Sequence, residues 1–406
     1  MNIDSAILIG FLAINLSLGL WSSRKIQGIT EYAIGDRKFS TATIAATIVS
    51  TWVSGDYIFL GVTEAYANGL NFIWVVVLGD FLSLFLIGAL FAPRMKEFLG
   101  KLSIADAMGS LYGDKVRIVT AISGLIGVCG IIATQFKLAG SIFEYALELP
   151  SIYGTISAAV VVTLYSSLGG VKSVTFTDII QFITFGTVIP IIAYMLFGSL
   201  ENINLVTNII TNDARFDYRE VFDFSNTKSL YYLFIAVFFT IPAFNPAIFQ
   251  RIAMASSVKQ VSSSFIIASI TCVFLVLIVS WIGVLMLAIH PNISSNDIVR
   301  HIISDYSFII GYKGIVLAGI MAMIMSTVDS FINSSAVILT HDIFNTLKIR
   351  FINELFTARV VALWIGGFSL ILSLRDNSLL ELIIVTYSLY MPVVTVPFIM
   401  SILGFR

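Results

Sequence analysis

Charge is scarce in this chain. Asp, Glu, Lys and Arg make up 12% of its 406 residues, roughly half the share of a soluble domain. With 58% hydrophobic residues and a mean hydropathy of +0.96, this excludes a soluble fold and points to an all-α integral membrane protein. Strand-like alternation is missing too: the apolar runs are about 20 residues long, so a closed β-barrel is excluded. A net charge of −1 gives no footing for nucleic acid. Histidine is limited to His290, His301 and His341, scattered between both sides of the membrane, so a membrane enzyme built on a histidine constellation is not expected. Cysteine is scarcer still. Cys129 and Cys272 both lie in apolar runs, and no disulfide is expected. The N-terminal MNIDSAILIG lacks the basic segment of a signal peptide, so the first apolar run reads as a retained helix.

What is present is a series of spans. The length criterion gives about eleven: 4–21, 41–66, 70–93, 117–143, 150–168, 174–199, 229–250, 261–289, 310–341, 356–375 and 378–403. Segment 102–112 reads as a short surface helix, and 201–228 and 290–309 are the two long polar connections. One set of loops carries 16 of the 23 Lys and Arg residues, among them Arg37, Lys172 and Arg251, and the opposite set carries 6. The rule that basic loops stay in the cytoplasm places the N-terminus outside and the C-terminus inside. A bacterial inner membrane is the expected location, and oligomeric state is left open.

Within span 310–341 lies a polar run, MSTVDSFINSSA, from Met325 to Ala336. At 100° per residue, Ser326, Asp329, Ser330 and Asn333 share one stripe. A carboxylate near the bilayer centre costs about 2.5–3.5 kcal/mol on insertion scales, so the stripe is expected to face protein, water or an ion. Interhelical hydrogen bonding explains single serines but not Asp329 with its neighbours. Two other spans are interrupted. Span 41–66 holds Ser50, Thr51, Ser54, Gly55 and Asp56 in its middle, and span 229–250 holds Pro242 and Pro246, which remove helix donors. Each interrupted span opens a set of five. Paired interruptions of this kind point to an inverted-repeat transporter whose site lies near the midplane. A single domain, 1–406, then comprises an extra helix (1–25) and two repeats (41–200 and 229–403).

Three motifs carry a family resemblance. YSSLGGVKSVTFTDIIQ, from Tyr165 to Gln181, resembles the signature of the sodium:solute symporter family; MSTVDSFINSSA resembles its ion-binding helix; FNPAIFQRIAMA, containing Gln250 and Arg251, resembles its Gln-Arg motif. Order and spacing match over essentially the whole chain. The resemblance implies a LeuT-like 5+5 inverted repeat behind one extra helix, with Na⁺ as the coupling ion. It further implies a principal Na⁺ site at Ser50, Val53, Met323, Ser326 and Thr327, and a possible second site at Asp178, Asp329 and Ser330, although Asp329 stands where such members carry serine. Neutral hydroxyl and carbonyl oxygens suit a monovalent cation better than a divalent one.

The implied solute pocket comprises Trp52, Asp56, Tyr57, Val76, Phe238, Thr240, Phe244, Tyr387 and Ser388, with Tyr390 nearby. Where sugar-carrying relatives present polar side chains, this chain aligns Val75, Val76 and Val77, and Thr240, Ile241 and Pro242 at the gate. A sugar would leave hydrogen bonds unmet there, so a small amino or carboxylic acid is favoured as the solute. Lys137 and Asp80, both inside spans, are expected to pair with each other, or Lys137 to snorkel. The competing function is a sensory membrane module that kept the symporter fold; the end of the chain at Arg406, without a signalling domain, argues against it.

Overall fold

The computed structural model describes residues 3–23, 26–147, 150–223, 225–305, 309–349, 353–375 and 388–405. Among the described residues every regular element is helical. The first are α1 (Ile3–Ser23), α2 (Ile29–Ile34) and α3 (Thr41–Trp52), the last capped by the Ser40 hydroxyl, which accepts from the Thr43 N–H at 3.1 Å. The helix then breaks and resumes as a wide turn, Tyr57–Val62, that leads into α4 (Thr63–Asn68); the two arms meet at 63°. Next come α5 (Leu70–Leu86), α6 (Ile104–Tyr112), which is the expected short surface helix, and α7 (Asp114–Leu147).

Helix α8 (Ser151–Gly198) has 48 residues. Drawn straight it would reach about 72 Å at 1.5 Å per residue, more than twice the hydrocarbon core of about 30 Å. Yet Gln181 Nε2 donates to the Tyr165 hydroxyl over 3.5 Å, a separation that a straight helix would stretch to about 24 Å. The helix therefore doubles back. Gly170 makes the turn, with φ of +56°, and a Cβ there would sit 2.8 Å from the Tyr32 ring. Lys172 braces the turn through Glu31 Oε1 at 2.6 Å and Asp36 Oδ2 at 3.6 Å. Its hydrogen bond holds the Glu31 carboxyl below the usual carboxylate range.

The first long connection folds into α9 (Asn204–Asn212) and α10 (Tyr218–Val221). The second broken span is α11 (Thr227–Thr240) followed by α12 (Pro246–Ala253). Pro246 sits in the first turn of α12, where its missing N–H costs nothing. Then follow α13 (Val258–Ile289), α14 (Ile298–Ser304), α15 (Tyr312–Val337), α16 (Glu354–Ser373) and α17 (Val396–Ile402).

Seven described helices are long and apolar enough to cross a bilayer, eight if the bent pair α3–α4 is one span. The sequence count of eleven is reached only when the α8 hairpin is counted twice and the shorter apolar helices Thr227–Thr240 and Ser388–Ile402 are added. Helix α15 is the axis of the bundle. Its most apolar stretch is 94% buried against 17% for α1, and it packs on α1, α3, α7, α8, α12 and α16. The polar stripe therefore faces protein on every side.

Gly170→Ala should lower stability by about 1–3 kcal/mol, from an overpacked contact and an unfavourable φ. The check is the thermal unfolding midpoint of the purified protein in detergent; an unchanged midpoint would remove Gly170 from the turn.

Candidate functional site

The break after α3 decides where polar backbone becomes available. A helix leaves its last carbonyls without intrahelical partners. The Val53 N–H still satisfies Val49 O at 2.8 Å, but the carbonyls of Ser50 and Thr51 turn to α15. Ser326 Oγ lies 2.7 Å from Ser50 O and 3.0 Å from Met323 O. Thr327 Oγ1 lies 3.4 Å from Thr51 O and 3.1 Å from Met323 O. Four of the five expected ligands, Ser50, Met323, Ser326 and Thr327, thus converge, and the fifth, Val53, is buried in the break itself. All the converging oxygens are uncharged, which fits a monovalent cation. Gly55 permits the approach: a Cβ there would lie 2.6 Å from Ile324 of α15.

One helical turn further along the stripe the chemistry becomes ionic. Asp178, Asp329 and Ser330 are brought together as expected, but with Arg251 among them. Arg251 Nη2 donates to Asp178 Oδ2 and Thr47 Oγ1, both at 3.0 Å, and to Ser330 Oγ at 2.5 Å. Thr47 also donates to Asp178 Oδ2, and Ser50 Oγ to Asp178 O at 2.7 Å. Asp329 Oδ2 accepts from Tyr165 at 2.9 Å and from Thr177 at 3.2 Å, one residue on each arm of the α8 hairpin. Arg251, Asp178, Asp329 and Ser330 are all fully buried. The sequence places Arg251 among the loop cations; the structure buries it fully, and the loop asymmetry survives its removal. Its position beside Pro242 and Pro246, in a span already flagged as broken, was the available signal. Thr47, Tyr165 and Thr177 are not among the residues expected at the site; Tyr165 and Thr177 lie inside the motif from Tyr165 to Gln181.

Asn333 joins the stripe to the second broken span, since Gln250 Nε2 donates to Asn333 Oδ1 at 2.8 Å and to Ala33 O at 2.6 Å. Ser334 bonds within its own helix, to Phe331 O at 3.2 Å.

The solute-pocket residues divide. Trp52 Nε1 and the Tyr57 hydroxyl both donate to Asp80, at 3.1 and 2.5 Å. The expected Lys137–Asp80 pair is thereby corrected: Asp80 serves the first broken span, and Lys137 reaches the Arg375 carbonyl at 3.2 Å instead. Asp56, at the head of the second arm, accepts from Ser54 and from Gln135 Nε2 at 3.2 Å. Phe244 is fully buried in an aromatic cluster with Phe91 and Phe398, and its carbonyl accepts from the Tyr390 hydroxyl at 2.7 Å. A cavity of about 10 Å³, room for about one water, lies beside it, lined by Gly124, Val128, Asn245, Pro246, Phe331 and Tyr390 among others. Val76 is partly buried, Phe238 is 39% exposed, and Thr240 bonds back to Val237 O at 2.8 Å. Phe238 and Thr240 thus do not join the others. Ser388 is exposed, and Tyr387 lies outside the described residues.

Known proteins resemble this chain in sequence and in fold. The chain is 24% identical to a sodium/glucose cotransporter of Vibrio parahaemolyticus, over 90% of this chain and 74% of that protein. It is 25% identical to a sodium/pantothenate symporter of Haemophilus influenzae, over 83% and 72%. Among solved structures it shares its fold with a Na⁺-coupled sialic acid symporter in a substrate-bound outward-open state, at a TM-score of 0.87 and 16% identity, covering 100% of this chain and 87% of that one. The fold is also that of MhsT in complex with L-phenylalanine, at a TM-score of 0.62 and 13% identity, covering 87% of each chain. Residues 32–406 match the profile of the Sodium:solute symporter family, and the chain belongs to that family, one of membrane transporters rather than enzymes, with sodium as the coupling ion.

Proposed function

We propose that the chain imports a small amino or carboxylic acid together with Na⁺ by alternating access. The observation that carries this reading is the pairing of Ser326 and Thr327 hydroxyls with Ser50 and Thr51 carbonyls across the α3 break. A cation held there by Ser50, Val53, Met323, Ser326 and Thr327 ties the first broken span to α15 and so orders the adjoining solute site. Residues 1–406 act as one transporter domain, with five-helix repeats at 41–200 and 229–403 behind the extra helix at 1–25. It sits in a bacterial inner membrane with the N-terminus outside and the C-terminus in the cytoplasm. One charge moved inward is worth about 2.3 kcal/mol per 100 mV, and at about 1.4 kcal/mol per tenfold this sustains roughly a 50-fold solute gradient.

The solute is expected at Trp52, Asp56, Tyr57, Val76 and Phe244. Asp56 and Asp80 support an amino group on it: both carboxylates accept hydrogen bonds from neutral donors, Ser54 and Gln135 for the one, Trp52 and Tyr57 for the other. The apolar face of α5 supports a solute with few hydroxyls. The Asp178, Asp329 and Ser330 group is a second cation site. Its two carboxylates surround the single guanidinium of Arg251, so when both are ionised one negative charge remains for a monovalent cation to balance.

Ser326→Ala and Thr327→Ala should each raise the Na⁺ concentration for half-maximal uptake in proteoliposomes severalfold, with the solute concentration held fixed. Na⁺ dependence identical to the parent protein would sink this site assignment.

Arg251→Met should destabilise the protein by about 3–5 kcal/mol, because it strands a buried carboxylate. The double change Arg251→Met/Asp178→Asn should recover part of that loss. Thermal unfolding in detergent reads both, and no recovery would mean that the pair does not act as a unit.

A thermal-shift screen of the purified protein against amino and carboxylic acids should give a stabilising solute in Na⁺ but not in K⁺. A hit that is equally strong in K⁺ would argue against coupling.

A further inference from the structure

Two of the three histidines, scattered in the sequence reading, meet in space. His290 follows the C-terminus of α13, and its Nε2 lies 2.9 Å from Asp305 Oδ2. His301 lies on α14 with Asp305 four residues on, so both side chains leave the same face; His301 Nδ1 is 3.2 Å from each Asp305 carboxylate oxygen. The two imidazole centroids are 5.1 Å apart. One ligand atom from each of the three residues falls within 4.8 Å of the others. The site lies away from the Na⁺ stripe, and about a third of each side chain is open to solvent.

Two neutral rings can each donate an N–H to the single carboxylate, and in the other tautomer the same two nitrogens present lone pairs instead. A shared metal takes both lone pairs and one carboxylate oxygen at once. A tetrahedral zinc with bonds of about 2.0–2.2 Å has ligand–ligand edges of about 3.3–3.6 Å; the contacts to Asp305 are 2.9 and 3.2 Å and all three ligand atoms lie within 4.8 Å of one another, so small side-chain shifts bring them to that spacing. Two imidazoles and one carboxylate favour a borderline-soft transition metal over Mg²⁺ or Ca²⁺. Solvent access leaves the fourth position for water.

We propose that His290, His301 and Asp305 form a Zn²⁺ site that clamps α14 to the end of α13. The clamp would sit over the outer arm of the first broken span. The Tyr66 hydroxyl of α4 already donates to His290 O at 2.8 Å, and α14 packs on Tyr57–Val62, α7 and α15. Bound Zn²⁺ therefore fixes the cover of the arm that must move in transport, and it should slow uptake.

The test is a ZnCl₂ titration of the full-length purified protein, stripped of metal beforehand, followed by calorimetry and by thermal shift. One Zn²⁺ per chain is expected. His290→Ala and His301→Ala should each weaken it at least tenfold, whereas His341→Ala should leave it unchanged. Zn²⁺ binding that survives the double change His290→Ala/His301→Ala would overturn the proposal. If the variants fail to fold, Co²⁺ added to the unmodified protein decides: strong tetrahedral visible bands support the site, and the weak bands of six-coordinate cobalt overturn it. Binding is read without transport, so failure here leaves the sodium reading standing, and failure of that reading leaves this one testable.

Discussion

One guanidinium holds the polar interior together. Arg251 donates to Thr47 on α3, Asp178 on α8 and Ser330 on α15 from its own place on α12. Both broken spans and the central helix thus meet at a single cation that is shielded from water and lipid. Burying such a charge is costly unless it is paired and hydrogen-bonded. The demand runs outward: Asp178 answers Arg251, Thr47 and Ser50 support Asp178, and Tyr165 and Thr177 support the neighbouring Asp329. The α8 hairpin must close at Gly170 for that support to come from both of its arms.

The two halves of α15 perform different work with similar residues. Toward Met323, neutral hydroxyls meet the carbonyls of an interrupted helix. Toward Asn333, the same stripe meets full charges and amides. The transition between them takes place within one turn, from Ser326 and Thr327 to Asp329 and Ser330. Ser50 links the two, its carbonyl turned to Ser326 and its hydroxyl to the Asp178 backbone. One residue thus touches both the neutral cluster and the ionic one.

Periodicity and punctuation made much of this legible in the sequence. The stripe from Met325 to Ala336, the weak stretch from Ser50 to Asp56 and the prolines of the second broken span each announce a local physical conflict, polar groups or missing donors in an apolar run, and the fold resolves each where it occurs. A charge next to a span end reads as a loop residue, so the prolines of the broken span are the one hint for Arg251, and tertiary packing reveals that α12 turns it inward. Charge alone suggests that Lys137 pairs with Asp80 or snorkels, whereas Trp52 and Tyr57, one on each arm of a break, take Asp80. The solute residues were least legible, since side chains on α11 such as Phe238 rotate to the outside and no period of the sequence specifies that rotation.

The burial of α15 bears on how the chain enters a membrane. A segment that carries Asp329 and Asn333 at mid-depth partitions poorly into lipid by itself, since single charged residues weigh about 2.5–3.5 kcal/mol against insertion. Of the helices packed on it, α1, α2, α3, α7, α8 and α12, which include every partner of the stripe, precede it in the chain and leave the ribosome first, and α16 follows. The stripe thus meets its hydrogen-bonding partners on arrival. Synthesis order supplies the polar environment that the bilayer withholds, and moving α15 earlier in the chain would remove it.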